Sequence, residues 1–420
     1  MEKEQKRQGK TKWFLKKAAK VVCTGVVALH LAAQSAYWFN DAWNSACPSP
    51  QRKAFEQTFG FPIKGWKKDI ENRDILTSVG EATHQRAFTS GKPLGLTSFR
   101  IESPYYLKKS LIQQAGEVAS PYGGVYNPIL NTCTVNDNKR ETAFHEINHA
   151  EMFLLVKKSP LFKKEWCAIA QNSDGTSPYH GPARHALSKI RGIDKIIEKM
   201  QKRPPQNVYD NYKQGFVSDY ARTSFYEDVA ELCAEANFDP HNFSLRFFQE
   251  STHYDKIMAK TKLAEQYGLV PCGISEYISL IPHYNASFEP SGHDAYVKDS
   301  ETYVAATEEF LRTHPKTTLE TKIRAYRAWI MDKLSQRGIK YSPEQAHSEY
   351  QKVLTAPFKD TSYATALSYL EKFWISQNNK NRARIYEEAY NRYWKRYQAG
   401  DPLITVRGVN DFLKDKGELP

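Results

Sequence analysis

The sequence has no low-complexity tract, no long apolar run and no pair of cysteines at CxxC spacing. Its 21 glycines and 21 prolines in 420 residues are too few for a fibrous or disordered chain. Without a CxxC pair, a structural zinc site built from cysteines is disfavoured. With 40% apolar and 25% charged residues, the chain is expected to be globular and long enough for roughly two to three domains.

The positive charge does not indicate a nucleic-acid partner. The net charge is +12, but residues 1–36 contain eight Lys/Arg and two Asp/Glu and contribute +6 of it. The remaining net positive charge is a mild excess for the 384 residues that carry it. The sequence also has no basic run interleaved with aromatic residues and no nucleic-acid-binding module. We therefore expect no nucleic-acid partner.

The first 36 residues have the pattern of an export signal. A basic leader, residues 1–20, is followed by the apolar run 21–33 and by small residues, with cleavage expected near Ser35 or Ala36. The run is shorter than the about 20 apolar residues of a membrane helix. Extended over residues 21–39 it forms an uncleaved anchor, which is the alternative. In both cases we expect the rest of the chain to be exported. With a cleaved signal it would be periplasmic or secreted, and with an uncleaved anchor it would be held at the inner membrane.

Export makes the cysteines beyond the leader candidates for disulfides. Their number is odd, so at least one is expected to be free or to pair outside the chain. Spacing does not determine the connectivity. The five residues are Cys47, Cys133, Cys167, Cys233 and Cys272.

Hydrophobic patterns predict the elements in the middle of the chain. Residues 121–135, PYGGVYNPILNTCTV, combine a Gly-Gly turn with alternating apolar residues and predict a strand pair. From Lys139 the pattern is helical, and a second helix is predicted over 226–236. The chain is mostly helical from about residue 255, where aromatic stripes are expected to form helix-bundle cores. The first helix has a predicted core stripe at Ala143, Ile147, Ala150 and Leu154.

The stretch TAFHEINHAEMF, residues 142–153, contains the pattern HExxH. His145 and His149 are one helical turn apart, so one face of a helix can offer two imidazoles to a metal. Glu146 is rotated by about 100° and can take a proton from a metal-bound water. The alternative is that HExxH occurs by chance on a helix. The presence of a third ligand would favour a metal site over a chance match.

A catalytic zinc needs a third protein ligand beside its open position. The metzincin pattern would require Gly and His where this chain has Met152 and Leu155, so that class is excluded. His180 and His185 lie in a loop-rich insertion, residues 172–209. They are poor candidates because zinc ligands are usually carried by rigid elements.

The segment GFVSDYARTSFYEDVAELCAEA, residues 215–236, offers carboxylates on a predicted helix. Glu227 can be the third ligand, and Glu231, one turn on, can accept the second N–H of a ligating histidine. In the alternative, Ser224 and Glu227 form a capping box that only stabilises the helix start. Spacing leaves both open. Asp228 is expected to be solvated or to support the ligands, rather than to bind metal.

The two motifs together resemble the catalytic domain of anthrax-lethal-factor-like zinc metallopeptidases, a gluzincin group that includes the secreted Pro-Pro endopeptidases. The resemblance rests on HEINH at 145–149 and on the pattern Y-x-R-T-x-x-x-E-x-x-A-E from Tyr220 to Glu231. It covers roughly residues 96–240. The regions before and after this range resemble no family that we can name.

The resemblance implies a role for each matching residue. His145, His149 and Glu227 would bind Zn²⁺. Glu146 would be the general base, and Tyr220 would stabilise the oxyanion or protonate the leaving group. The strand near residues 123–135 would be the edge along which an extended peptide substrate binds.

The expected fold is α+β and predominantly helical, with a zincin-like catalytic core, a small mixed sheet and a helical C-terminal region. The expected division is a signal peptide or anchor at 1–36, an N-terminal lead-in at 37–95, a catalytic domain at 96–254 and a helical domain at 255–420. The predicted function is that of an exported zinc-dependent endopeptidase. The alternatives are a catalytically silent zincin-fold binding protein of the cell envelope, a zinc amidase acting on cell-wall peptides, and a metal-free helical protein in which HEINH is a coincidence.

Overall fold

The computed structural model describes part of the chain, and most of that part is helical. A small mixed sheet accompanies the helices, so the predicted α+β, predominantly helical class is confirmed. The leader 1–36, the run 21–39, His180 and His185 lie outside the described residues. The described residues are 53, 56–57, 60–65, 79–80, 82–83, 85–86, 95–101, 124–135, 140–172, 175–179, 215–218, 220–243, 255–286, 293–315, 317–356, 362–397 and 402–419.

Four short strands form the sheet in the order β1-β2-β4-β3. Neighbours are parallel from β1 through β2 to β4, whereas β3 is antiparallel to β4. The hairpin of β3 and β4 confirms the strand pair predicted within 121–135. In the described sheet β3 is an outer strand, so one of its edges pairs with no other described strand. The strands are β1 (Ile63–Gly65), β2 (Ser98–Ile101), β3 (Gly124–Asn127) and β4 (Thr132–Val135).

Helices make up the rest of the described structure. Those predicted from Lys139 and over 226–236 are present, and the chain after residue 255 is helical as expected. No helix among the described residues is both long and apolar enough to cross a lipid bilayer. The α-helices are α1 (Arg140–Lys158), α2 (Pro160–Ala170), α3 (Phe225–Phe238), α4 (Asp255–Gln266), α5 (Ile274–Ala286), α6 (His293–Thr313), α7 (Glu320–Gln336), α8 (Pro343–Thr355), α9 (Ser362–Ser376), α10 (Lys380–Tyr397) and α11 (Pro402–Asp415), and a 3₁₀ helix covers Tyr220–Thr223.

The first half of α1 packs on the sheet. Ala143, Ile147 and Ala150 are buried there with the strand residues Phe99 and Val135, which confirms most of the predicted stripe. Leu154 is instead 38% exposed. The 19 residues of α1 span about 28 Å, whereas strands of three or four residues span roughly 10–14 Å. The sheet therefore covers only the beginning of the helix.

The second half of α1 belongs to a separate hydrophobic core. Met152 is buried there with side chains of α2, α3, α4 and α5, including Trp166, Val229 and Ile257. This core includes residues on both sides of the predicted boundary at 254, while the division into domains stays a prediction. Two further cores lie among the later helices, where aromatic residues such as Tyr350 are buried as expected.

The described cysteines form no disulfide with one another. The expectation of disulfides is therefore wrong for pairs among these four, while Cys47 lies outside the described residues. Cys133 and Cys233 are fully buried in different cores, where each packs as a small apolar side chain. The four free residues are Cys133, Cys167, Cys233 and Cys272.

Candidate metal centre

Three side chains from two helices converge on one point. Nε2 of His145 lies 3.0 Å from Nε2 of His149, and Oε2 of Glu227 lies 3.1 Å from the first and 3.0 Å from the second. Two ligands of a tetrahedral metal with bonds of about 2.0–2.1 Å are roughly 3.3 Å apart, so this triangle has nearly the required size. The cluster can hold a metal ion.

The local fold explains why these three groups meet. His145 and His149 are stacked on one face of α1, and Glu227 lies in the first turn of α3, which packs along α1. The hydroxyl of Ser224 accepts a hydrogen bond of 3.2 Å from the N–H of Glu227. Ser224 therefore caps α3, as one alternative predicted, but the Glu227 carboxylate approaches the histidines. The capping-box interpretation is therefore correct for the backbone N–H of Glu227, which bonds to Ser224, whereas the Glu227 carboxylate belongs to the cluster.

Glu231 supports His145 from the side opposite the cluster. Its Oε1 lies 2.8 Å from Nδ1 of His145, which keeps a proton on Nδ1 and directs Nε2 toward the cluster. Its Oε2 accepts a hydrogen bond of 2.7 Å from the hydroxyl of Ser218. That hydroxyl in turn accepts a bond of 3.0 Å from the N–H of Ala221. The Glu231 carboxylate thus connects His145 on α1 to the turn that carries Tyr220.

Ser218 was missed in the sequence, although a signal was present. A serine hydroxyl at the start of a helical turn commonly accepts a hydrogen bond from the N–H of the residue three positions later. The same bond could have been expected for the 3₁₀ helix at Tyr220–Thr223. The second bond, to Glu231, depends on tertiary packing and has no local signal.

Glu146 lies beside the outer strand of the sheet. Glu146 is 2% exposed and directly follows His145 on α1. A Cβ atom on Gly124 of β3 would lie only 2.7 Å from both Cγ and Oε1 of Glu146. The strand can approach the carboxylate this closely because residue 124 has no side chain. Gly124 is thus a second residue missed in the sequence, where its glycine indicated only a turn.

Tyr220 lies at the margin of the cluster. It is half-buried and begins the 3₁₀ helix, and its ring centroid is 6.0 Å from that of His145. The structure therefore brings the second motif to the histidines, although Tyr220 lies 71 residues after His149 in the sequence.

Burial and hydrogen bonding act in opposite directions on the three converging groups. Burial by itself lowers the pKa of His145, but hydrogen bonds with Glu227 and Glu231 outweigh it and hold that pKa well above its usual value. Burial lowers the pKa of His149, which favours its neutral form. Burial would raise the pKa of Glu227, yet its bonds with both histidines keep it far below the usual range. An ionised Glu227 and a neutral His149 are the forms that bind metals.

Asp228 is fully buried, which excludes the solvated alternative and leaves the supporting one. It faces the core because one residue rotates a helix by about 100° from the direction of Glu227. Trp166 Nε1 donates a hydrogen bond of 2.8 Å and the Tyr179 hydroxyl one of 2.9 Å to its Oδ2. Nζ of Lys260, which is equally buried, lies 2.8 Å from the same oxygen. Because Lys260 belongs to α4, a residue beyond 254 supports the turn that carries Glu227.

Comparisons with protein-family models, with curated proteins and with solved structures give no match. The assignment of a function therefore rests on the motifs and on the geometry of this chain.

Proposed function

We propose that the protein is an exported zinc-dependent endopeptidase of the gluzincin type, built on a zincin-like core. The observation that carries the proposal is the triangle of His145, His149 and Glu227 with Glu146 beside it. Two imidazoles and one carboxylate are a ligand set of catalytic zinc sites, which keep a further position open for water or substrate. Imidazole ligands suit zinc, and the resemblance to lethal-factor-like peptidases also favours this metal.

The residues around the cluster supply the remaining chemistry. Zinc, when bound in such a site, lowers the pKa of water to about 7 and polarises a carbonyl. Glu146, next to the ligand line but not on it, takes the proton of the attacking water and passes it to the leaving amine. The hydroxyl of Tyr220 donates a hydrogen bond to the oxygen that becomes negative. Glu231 holds the His145 ring in place throughout.

The outer strand β3 offers a place for the substrate. An extended peptide can add to an open strand edge through backbone hydrogen bonds, which require no particular side chain. Gly124 places this strand against Glu146, so a peptide paired with β3 has its backbone near the general base. The proposed substrate is therefore a protein or peptide bound in extended form.

The test compares the wild type with Glu146→Gln and with Glu141→Gln. Glu141 is exposed in the first turn of the same helix and provides a matched control. We expect one zinc per chain in all three proteins, cleavage of a diverse peptide library by the wild type and the control, and a loss of cleavage in Glu146→Gln, because glutamine cannot accept the proton.

Other outcomes would contradict the proposal and select an alternative. Full activity of Glu146→Gln would refute the role of that carboxylate. Bound zinc without cleavage of any peptide would indicate a binding protein, and cleavage confined to cell-wall peptides would indicate an amidase. A wild type that binds no zinc even after reconstitution would make HEINH a coincidence.

A further inference from the structure

A row of three aromatic rings lies beside the metal cluster. The ring centroids of Tyr126 and Phe153 are 5.4 Å apart. Those of Phe153 and Tyr226 are 4.5 Å apart, and the two rings are nearly parallel with an interplanar angle of 5°. All three residues are half-buried, so part of each stays accessible to solvent. We call Tyr126, Phe153 and Tyr226 the aromatic row.

Each ring belongs to an element that also supplies a residue of the proposed site. Phe153 is one turn beyond His149 on α1, so it continues the line of the two histidine ligands. Tyr226 directly precedes Glu227 on α3. Tyr126 is two residues after Gly124 on β3, and residues two apart face the same side of a strand. The row thus connects the outer strand to the third ligand.

The rings are held in place by contacts outside the row. The hydroxyl of Tyr126 donates a hydrogen bond of 2.9 Å to Asn131. At the other end, Nζ of Lys163 lies 5.1 Å from the centroid of the Tyr226 ring, within the range of a cation–π interaction. The ring of Phe225 also packs edge-on against Tyr226, with centroids 5.1 Å apart. A rigid apolar surface of this kind binds a side chain at a small entropic cost.

We propose that the aromatic row is a specificity subsite that selects a large apolar side chain, preferentially an aromatic one, in the peptide substrate. This inference rests on the proposed endopeptidase function. The strand β3 passes from Gly124, beside Glu146, to Tyr126, beside Phe153. Two residues of a strand span about 7 Å, so a side chain within two residues of the cleaved bond reaches the row. With antiparallel pairing, the more stable arrangement, that side chain is on the N-terminal side of the bond.

The inference is tested with two peptides that differ only at one position. The position lies two residues to the N-terminal side of the cleaved bond, with Phe in one peptide and Ala in the other. We expect the purified wild-type chain with zinc to cleave the Phe peptide about ten-fold better in kcat/KM, because an aromatic pair adds to ordinary apolar burial. Phe153→Ala should reduce this ratio to near one, because it slows cleavage of the Phe peptide more than that of the Ala peptide.

Two further variants separate selection from packing. Phe238→Ala removes a half-buried ring from the other end of α3, about 16 Å along the helix from Glu227, and should keep the ten-fold ratio. Phe153→Leu keeps apolar volume without the ring and should lower the ratio while the protein stays folded. A Phe153→Ala or Phe153→Leu variant that slows both peptides equally would overturn the inference, since Phe153 would then act through packing alone.

Failure of the inference differs from failure of the proposed function. Equal cleavage of the two peptides by the wild type, or a preference that appears only on the C-terminal side of the bond, overturns the assignment of the aromatic row and leaves the endopeptidase standing. A zinc-loaded wild type that cleaves neither these peptides nor any library member overturns both.

Discussion

Replacing Gly124 with alanine tests how closely β3 approaches Glu146. The added methyl group would lie 2.7 Å from Cγ and Oε1 of Glu146 and 2.9 Å from the carbonyl oxygen of Thr134. Non-bonded carbon atoms pack best at about 3.5–4.0 Å, so the overlap requires a shift of roughly 0.8 Å. The carbonyl of Thr134 belongs to the backbone of the paired strand β4. We therefore expect the Glu146 side chain to make most of the movement.

The size of this shift sets the expected loss of activity. Catalytic groups have to be held within about 0.5 Å of their productive position, and a misplacement of about 1 Å can cost a factor of about a hundred. We expect Gly124→Ala to lower kcat/KM by about a hundred-fold, equivalent to about 2.7 kcal/mol in activation free energy. Zinc content should stay at the wild-type value because His145, His149 and Glu227 are unchanged.

The assay is kcat/KM on a peptide identified from the library, with zinc content measured on the same samples. Gly95→Ala is the matched control, since its added methyl would meet only Cδ1 of Leu154, at an ordinary contact distance of 4.0 Å. It should keep wild-type activity. Activity of Gly124→Ala within about three-fold of the wild type would refute the reasoning, and so would a loss of zinc parallel to the loss of activity.

Three further predictions concern the support of the cluster. Ser218→Ala removes a hydrogen bond to Glu231, and zinc affinity measured by chelator competition should fall about ten-fold; an unchanged affinity would contradict this role. Asp228→Asn leaves the buried Lys260 without its carboxylate, so the free energy of unfolding in urea should fall by about 3–5 kcal/mol. Adding Lys260→Met should recover most of the lost free energy of unfolding. If Asp228→Asn alone does not lower that free energy, the Asp228–Lys260 ion pair does not stabilise the fold. Removing zinc should lower the Tm, since a ligand at a thousand times its Kd stabilises the fold by about 4 kcal/mol. The Tm of His145→Ala should not respond, and an equal response would place the zinc elsewhere.

Much of the proposed site could be predicted because its signals are local. The positions of His145 and His149 on one face follow from helical periodicity, and α1 begins one residue from its predicted start. The hairpin and α3 were likewise indicated by alternating and helical patterns. Such patterns report which residues share a face within one element, and the covalent chain enforces that relation.

The direction of the Glu227 carboxylate had no local signal. Ser224 caps α3 in any case, so the spacing is equally compatible with a carboxylate that turns back to the cap and with one that reaches the histidines. Only the packing of α3 along α1 decides between them, because it brings Glu227 to within 3.1 Å of the two imidazoles.

The sequence by itself determined the two histidines, the carboxylate beside them and the helices and strands that carry the candidate residues. The tertiary structure decided that Glu227 joins the histidines, that Gly124 meets Glu146, that Ser218 supports Glu231 and that Asp228 is buried. The physical reason is the range of the interactions. Periodicity and capping act within a turn or a strand, whereas these contacts arise where separate apolar faces are buried against one another.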